Sequence, residues 1–91
     1  MKTVYIHFKI AEKSPYTNQK VAFEVKDSED LERQLIQFLK DVSLDSLLDD
    51  QSGKIKNLYS FINKSKLYRS LKEIELEDQA VIDIVAMVVG G

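Results

Sequence analysis

The sequence predicts a single α+β domain, residues 1–91, with a mixed sheet packed on one main helix. Three observations predict it. The first ten residues alternate polar and apolar, positions 31–42 switch to helical spacing, and alternation returns in the last part of the chain. At 91 residues, with 44% hydrophobic and 31% charged side chains, the chain has the composition of one ordinary core.

Each element follows in order. Val4, Ile6, Phe8 and Ile10 point one way and Thr3, Tyr5, His7 and Lys9 the other, the period of a half-buried strand. Positions 12–18 hold Ser14-Pro15 and Thr17-Asn18, which are turn formers. Alternation resumes at Lys20 with Val21, Phe23 and Val25 on one face, so the two runs read as a hairpin. At Asp27 or Ser28 a helix N-cap is expected, with acidic residues behind it suiting the positive end of the helix dipole. Leu31, Leu35, Phe38, Leu39 and Val42 then form one apolar stripe, while Glu32, Arg33, Gln37 and Lys40 face water.

Positions 43–56 read as an irregular connection in which Leu44, Leu47 and Leu48 form at most a helical turn. A strand is expected over 58–62, a turn at Asn63-Lys64-Ser65, a short strand around Leu67-Tyr68 and a last strand over 80–88. A right-handed crossover puts the strand after the helix parallel to one of the first two. Hairpin, helix, strand, short strand, final strand is the order of a β-grasp fold: four or five strands on one helix, the first and last adjacent at the centre.

Composition removes most chemistry. There is no cysteine and only one histidine, His7, in an alternating strand, so thiolate, cysteine-zinc and serine–histidine chemistry have no residues to use. Asp49-Asp50 and Glu75, Glu77 and Asp78 lack the spacing of a calcium loop and read as solvated corners. Gly53 stands alone, so no phosphate loop exists. The expectation is a protein that is not itself an enzyme and binds no cofactor or metal. A net charge of −2 gives no basic stripe for nucleic acid. The longest apolar run, 84–89, falls far short of the roughly 20 residues that span a bilayer. No apolar leader-like stretch opens the sequence, and a cytoplasmic location is expected.

The outer face of the sheet is the candidate partner surface. With Ile82, Ile84 and Ala86 turned to the helix, Val81, Asp83, Val85 and Met87 face outward. With Leu58, Ser60 and Ile62 inward, Tyr59 and Phe61 face outward beside Tyr5, His7 and Ala22; a one-residue slip in that strand would bury both aromatics instead. Tyr5, Tyr59, Phe61, Val81 and Val85 would then form an apolar docking patch, with Met87, Val88 and Val89 continuing it along the final strand.

The last two positions are Gly90 and Gly91, a coincidence expected in roughly 0.5% of chains at ordinary glycine usage. Glycine has no Cβ, so such a pair can thread a narrow channel toward another protein's active site. A carboxylate there is a poor electrophile until it is joined to AMP, after which a sulfur donor or an amine can attack the acyl carbon.

Ser60-Phe61-Ile62-Asn63-Lys64, then Leu76-Glu77-Asp78-Gln79-Ala80-Val81-Ile82-Asp83-Ile84, and the closing Val88-Val89-Gly90-Gly91 resemble the ubiquitin-like sulfur carriers. These are the small subunit of molybdopterin synthase, the thiamine sulfur carrier and the ubiquitin-related modifiers. In that family a valine-asparagine-glycine turn corresponds to Ile62-Asn63-Lys64, and a leucine-x-aspartate-glycine-aspartate corner to Leu76 through Ala80. Lys64 thus replaces one family glycine, Gln79-Ala80 replaces glycine-aspartate, and Ala86-Met87 stands where the molybdopterin subunit has two prolines. The resemblance implies that Gly91 is adenylated and thiocarboxylated, with Gly90 its slender neighbour. The implied partner is an adenylating enzyme of the ubiquitin-activating type that uses ATP. The sulfur would go to molybdopterin first or thiamine second, with a large synthase subunit as a further partner. Two alternatives stay open: a modifier joined through Gly91 to target lysines, and a β-grasp interaction domain whose glycines are incidental.

Overall fold

The computed structural model of the chain describes residues 1–86. Among them five strands and one α-helix form, in the order β1 (Lys2–Lys9), β2 (Lys20–Val25), α1 (Ser28–Asp41), β3 (Tyr59–Asn63), β4 (Lys66–Tyr68) and β5 (Ala80–Ala86). Short 3₁₀ turns occupy Asp45–Leu47 and Leu71–Glu73. The strands make one mixed sheet of order β2-β1-β5-β3-β4. β1 and β5 are parallel neighbours at its centre, and the other adjacent pairs are antiparallel. β3 therefore runs in the direction of β2, as the crossover rule anticipated. Among the described residues no helix is long and apolar enough to cross a membrane.

The alternation of β1 is realised in burial: Val4, Ile6 and Phe8 lie in the core while Tyr5 and His7 are half-buried on the other face. Asp27 is the helix N-cap, its side chain accepting the Asp30 N–H at 2.9 Å. Leu31, Leu35 and Leu39 then lie fully buried, facing Ile82, Ile84 and Val25 of the inner sheet face within one core. Phe38 closes the flank: its ring centroid lies 5.8 Å from Phe8, 5.5 Å from Phe23 and 5.1 Å from Tyr16. The helix stops in a Schellman arrangement, with Leu44 N–H donating to Leu39 C=O at 2.8 Å and Ser43 in the left-handed region at φ 61°.

The connection from α1 to β3 is more ordered than its pattern suggests. Leu44, Leu47 and Leu48 are buried and anchor it, and Leu48 bridges Ile55 across a tight turn. Asp49 N–H donates to Lys54 C=O at 2.7 Å, and Lys56 N–H donates to Leu47 C=O at 2.9 Å. After β4 the chain makes a 3₁₀ turn in place of any longer strand, with Ser70 Oγ accepting the Lys72 N–H at 3.2 Å. The final strand, expected over 80–88, is described to Ala86; Met87 and Val88 lie outside the described residues.

The facing expected of β3 is corrected. Tyr59 is 5% and Phe61 3% exposed, both on the core side, whereas Leu58 is 45% exposed. The cause is register: Phe61 pairs directly with Ile84, whose side chain is fully buried, and directly paired residues share a face. Ser60 pairs with Val85 and Ile62 with Asp83, so those two belong to the outer face.

Candidate functional site

The outer face is built from alternate positions of four strands. In register, Tyr5 lies beside Val81, His7 beside Asp83 and Lys9 beside Val85, while Ile62 lies between Asp83 on one side and Leu67 on the other. At its centre the Asp83 carboxylate is held by two cationic or potentially cationic neighbours, His7 Nδ1 at 3.3 Å and Lys9 Nζ at 3.2 Å. Aliphatic side chains flank this ionic centre, with Val81 39% and Leu67 47% exposed. Ile62 and Val85 are half-buried between them. The face is therefore mixed, aliphatic on the β3–β5 side of the charged centre and polar on the β1 side.

Of the expected patch, Tyr5, Val81 and Val85 sit on this face; Tyr59 and Phe61 do not. Met87, Val88, Val89, Gly90 and Gly91 lie outside the described residues. Leu58, Ile62 and Leu67 were missed. Periodicity held no signal for them: both alternating sets of residues 58–62 are largely apolar, and Ser60, in the outward set, is itself only 3% exposed.

Tyr59 has a different role. Its hydroxyl donates to Glu12 Oε2 at 2.7 Å, tying the β1–β2 connection to β3 across 47 residues of chain. Burial first, then the adjacent Glu12 carboxylate, push this phenol well above its ordinary range, so it stays a neutral donor. Ala86, opposite Tyr59, ends the described part of β5 at the same end of the sheet as Lys9 and Leu58.

The opposite end of the face is fixed by the 75–80 corner. Thr3 N–H donates to Asp78 Oδ1 at 2.8 Å, Gln79 N–H donates to Thr3 C=O at 2.6 Å, and Tyr5 Oη donates to Gln79 Oε1 at 3.2 Å. Asn63 Nδ2 donates to Val81 C=O at 3.2 Å, pinning the β3–β4 turn to β5. Lys64 Nζ lies 2.7 Å from Glu77, and that contact holds the Glu77 carboxyl below its usual range. Lys64 and Gln79 both adopt positive φ, 52° and 69°. Among the described residues no three His, Asp or Glu side chains gather as metal ligands do. No protein-family model, curated protein or solved structure matches the chain.

Proposed function

We propose that the protein is a cytoplasmic sulfur carrier of the ubiquitin-like, β-grasp type, acted on by partner enzymes and not itself catalytic. The observation that carries the reading is the position of β5. It is the central strand, parallel to β1 and flanked by β3, and its sequence leads within a few residues into Val88-Val89-Gly90-Gly91. A second observation supports the resemblance. The two positions where the family has glycine, here Lys64 and Gln79, hold the left-handed backbone that glycine accommodates most easily. The glycines are gone but the turns they serve are kept.

The chemistry belongs to Gly91 in the chain that ends there. Its carboxylate oxygen attacks the α-phosphorus of ATP on an activating enzyme, releasing pyrophosphate and forming an acyl-adenylate. Hydrosulfide then attacks the acyl carbon and AMP leaves, so a carbon–sulfur bond replaces the carbon–oxygen bond to phosphate. The outer face around Val81, Leu67 and the Asp83 centre docks the enzyme. The thiocarboxylate sulfur passes to a molybdopterin precursor, with a thiamine precursor the second choice.

Intact-mass analysis of residues 1–91 after incubation with an activating enzyme, ATP and sulfide tests this. The mass should rise by the difference between sulfur and oxygen, and fail to rise when Gly91 is deleted. Val81→Asp with Leu67→Asp should slow the reaction while leaving the circular dichroism spectrum intact. An unchanged mass with an activator active on its own carrier refutes the reading. Higher-mass conjugates dependent on Gly91, without a thiocarboxylate, would favour a modifier.

A further inference from the structure

A second surface lies apart from the outer face. The pinned α1–β3 connection, the start of the Leu71–Glu73 turn and Glu32 of α1 enclose a half-open cleft of about 400 Å³. That volume is within the range of small-molecule sites. Four cations line it, Lys54, Lys56, Arg69 and Lys72, against two carboxylates, although the chain as a whole is net negative.

The carboxylates are already committed. Asp49 accepts the Ser52 N–H at 2.8 Å, and the Ser52 hydrogen bonds hold its carboxyl below the usual range. Glu32 lies 3.9 Å from Lys72. Among the described residues Lys54, Lys56 and Arg69 make no ion pair.

One hydroxyl at the rim points to the same ligand chemistry. Ser52 Oγ accepts the Lys54 N–H and Ser70 Oγ accepts the Lys72 N–H, each at 3.2 Å. The Ser52 O–H is committed to the Asp49 carboxylate, whereas the Ser70 O–H is left to donate. The cleft offers ammonium, guanidinium and hydroxyl donors over an apolar floor of Ile55, Tyr59 and Phe61. A ligand that fits is rich in acceptors, negatively charged and compact, which describes a phosphate group.

We propose that this cleft binds a small phosphate-bearing molecule, with Lys54, Lys56 and Arg69 as its charge partners and the Ser70 hydroxyl as a donor. The inference stands independently of the carrier function.

The test is a ¹H–¹⁵N NMR titration of the labelled chain with inorganic pyrophosphate and, separately, with AMP, both at constant ionic strength. Saturable shifts confined to residues 49–57 and 69–72 are expected for at least one ligand. Tighter binding of AMP would place its base on the apolar floor; equal or tighter binding of pyrophosphate would identify the phosphates alone as the recognised group. Lys56→Gln with Arg69→Gln should weaken binding about tenfold or more, as loss of charge-assisted hydrogen bonds requires. Lys13→Gln with Lys20→Gln, outside the cleft, should leave it unchanged. Absence of saturation in the millimolar range overturns the proposal, as do shifts spread evenly over lysines of every face. Binding of an acidic peptide where neither phosphate ligand binds would also overturn it.

Discussion

Phe61→Ala is the substitution that most directly tests how β3 sits in the sheet. Phe61 is 3% exposed and directly opposite Ile84 on the face covered by α1. Truncating a buried phenylalanine removes its transfer free energy and leaves a cavity, together about 3–4 kcal/mol. A domain of this length has about 5–14 kcal/mol in all, so the variant remains folded only if the parent is not at the low end. Phe61→Leu, at about 1–2 kcal/mol, keeps the test usable in that case. Leu58→Ala, at an exposed position, should cost about 0.5 kcal/mol or less, and Ile62→Ala about 1 kcal/mol. Urea unfolding followed by far-ultraviolet circular dichroism reads all four, with Cm falling and m unchanged. For Phe61→Ala the melting temperature should fall by roughly 15–25 °C. If Phe61→Ala costs under about 1 kcal/mol and Ile62→Ala costs more, β3 has the opposite facing and the core described above is wrong.

Other perturbations probe separate parts of the fold. Asp27→Ala removes the side-chain acceptor at the start of α1 and should cost about 1 kcal/mol in the same urea experiment. Ser65→Gly, at φ 65° in the β3–β4 turn, should stabilise by roughly 0.5–1 kcal/mol by relieving a left-handed non-glycine residue. Asp30 governs part of the acid limb. The Lys26 N–H at 2.9 Å, followed by Gln34 and Arg33, holds its carboxyl below the ordinary value. Its folded pKa is thus below the unfolded one, so its contribution is present above about pH 4 and is lost as pH falls through the folded value. Urea titrations from pH 6 downward should show a shallower acid decline for Asp30→Asn than for the parent.

The strands and helix with one apolar face were legible because a single periodicity described each. Val4, Ile6 and Phe8 admit one facing, and the Leu31, Leu35 and Leu39 stripe admits one helix. β3 was not legible in the same way, since Leu58 and Ile62 are as apolar as Tyr59 and Phe61, and only tertiary pairing with β5 chooses between the two facings. The left-handed backbone positions were obscured for another reason. Among the described residues Asn18, Ser43, Lys64, Ser65 and Gln79 all hold positive φ, and Gly53 is the one glycine that does. Glycine is the usual mark of such positions, so Ser43 conceals the left-handed cap of α1, whereas the turns around Asn18, Lys64-Ser65 and Gln79 were legible from their polar residues. The α1–β3 connection looked irregular because Leu44, Leu47 and Leu48 span little more than one helical turn, too short a run to define an element, yet all three are buried and anchor it.

Moving Tyr59 and Phe61 inside changes what the proposed carrier offers a partner. An outer patch of three aromatics would have favoured a large, permanently buried interface, because aromatic side chains dominate binding energy where they are desolvated. The face that exists has aliphatic Val81, Leu67, Ile62 and Val85 beside a carboxylate clasped by His7 and Lys9. Such a surface stays wettable when free and forms a mixed, modest contact when bound, the character of a transient interface. A carrier must leave the enzyme that loads it before it can meet the one that unloads it, and an obligate interface would work against that exchange. Tyr59, held inward by Glu12 and opposite Ala86, meanwhile helps fix the end of the sheet from which the sequence continues toward Gly90 and Gly91. On the proposed reading, the aromatics contribute by anchoring the root of the working segment, and the aliphatic face supplies the docking.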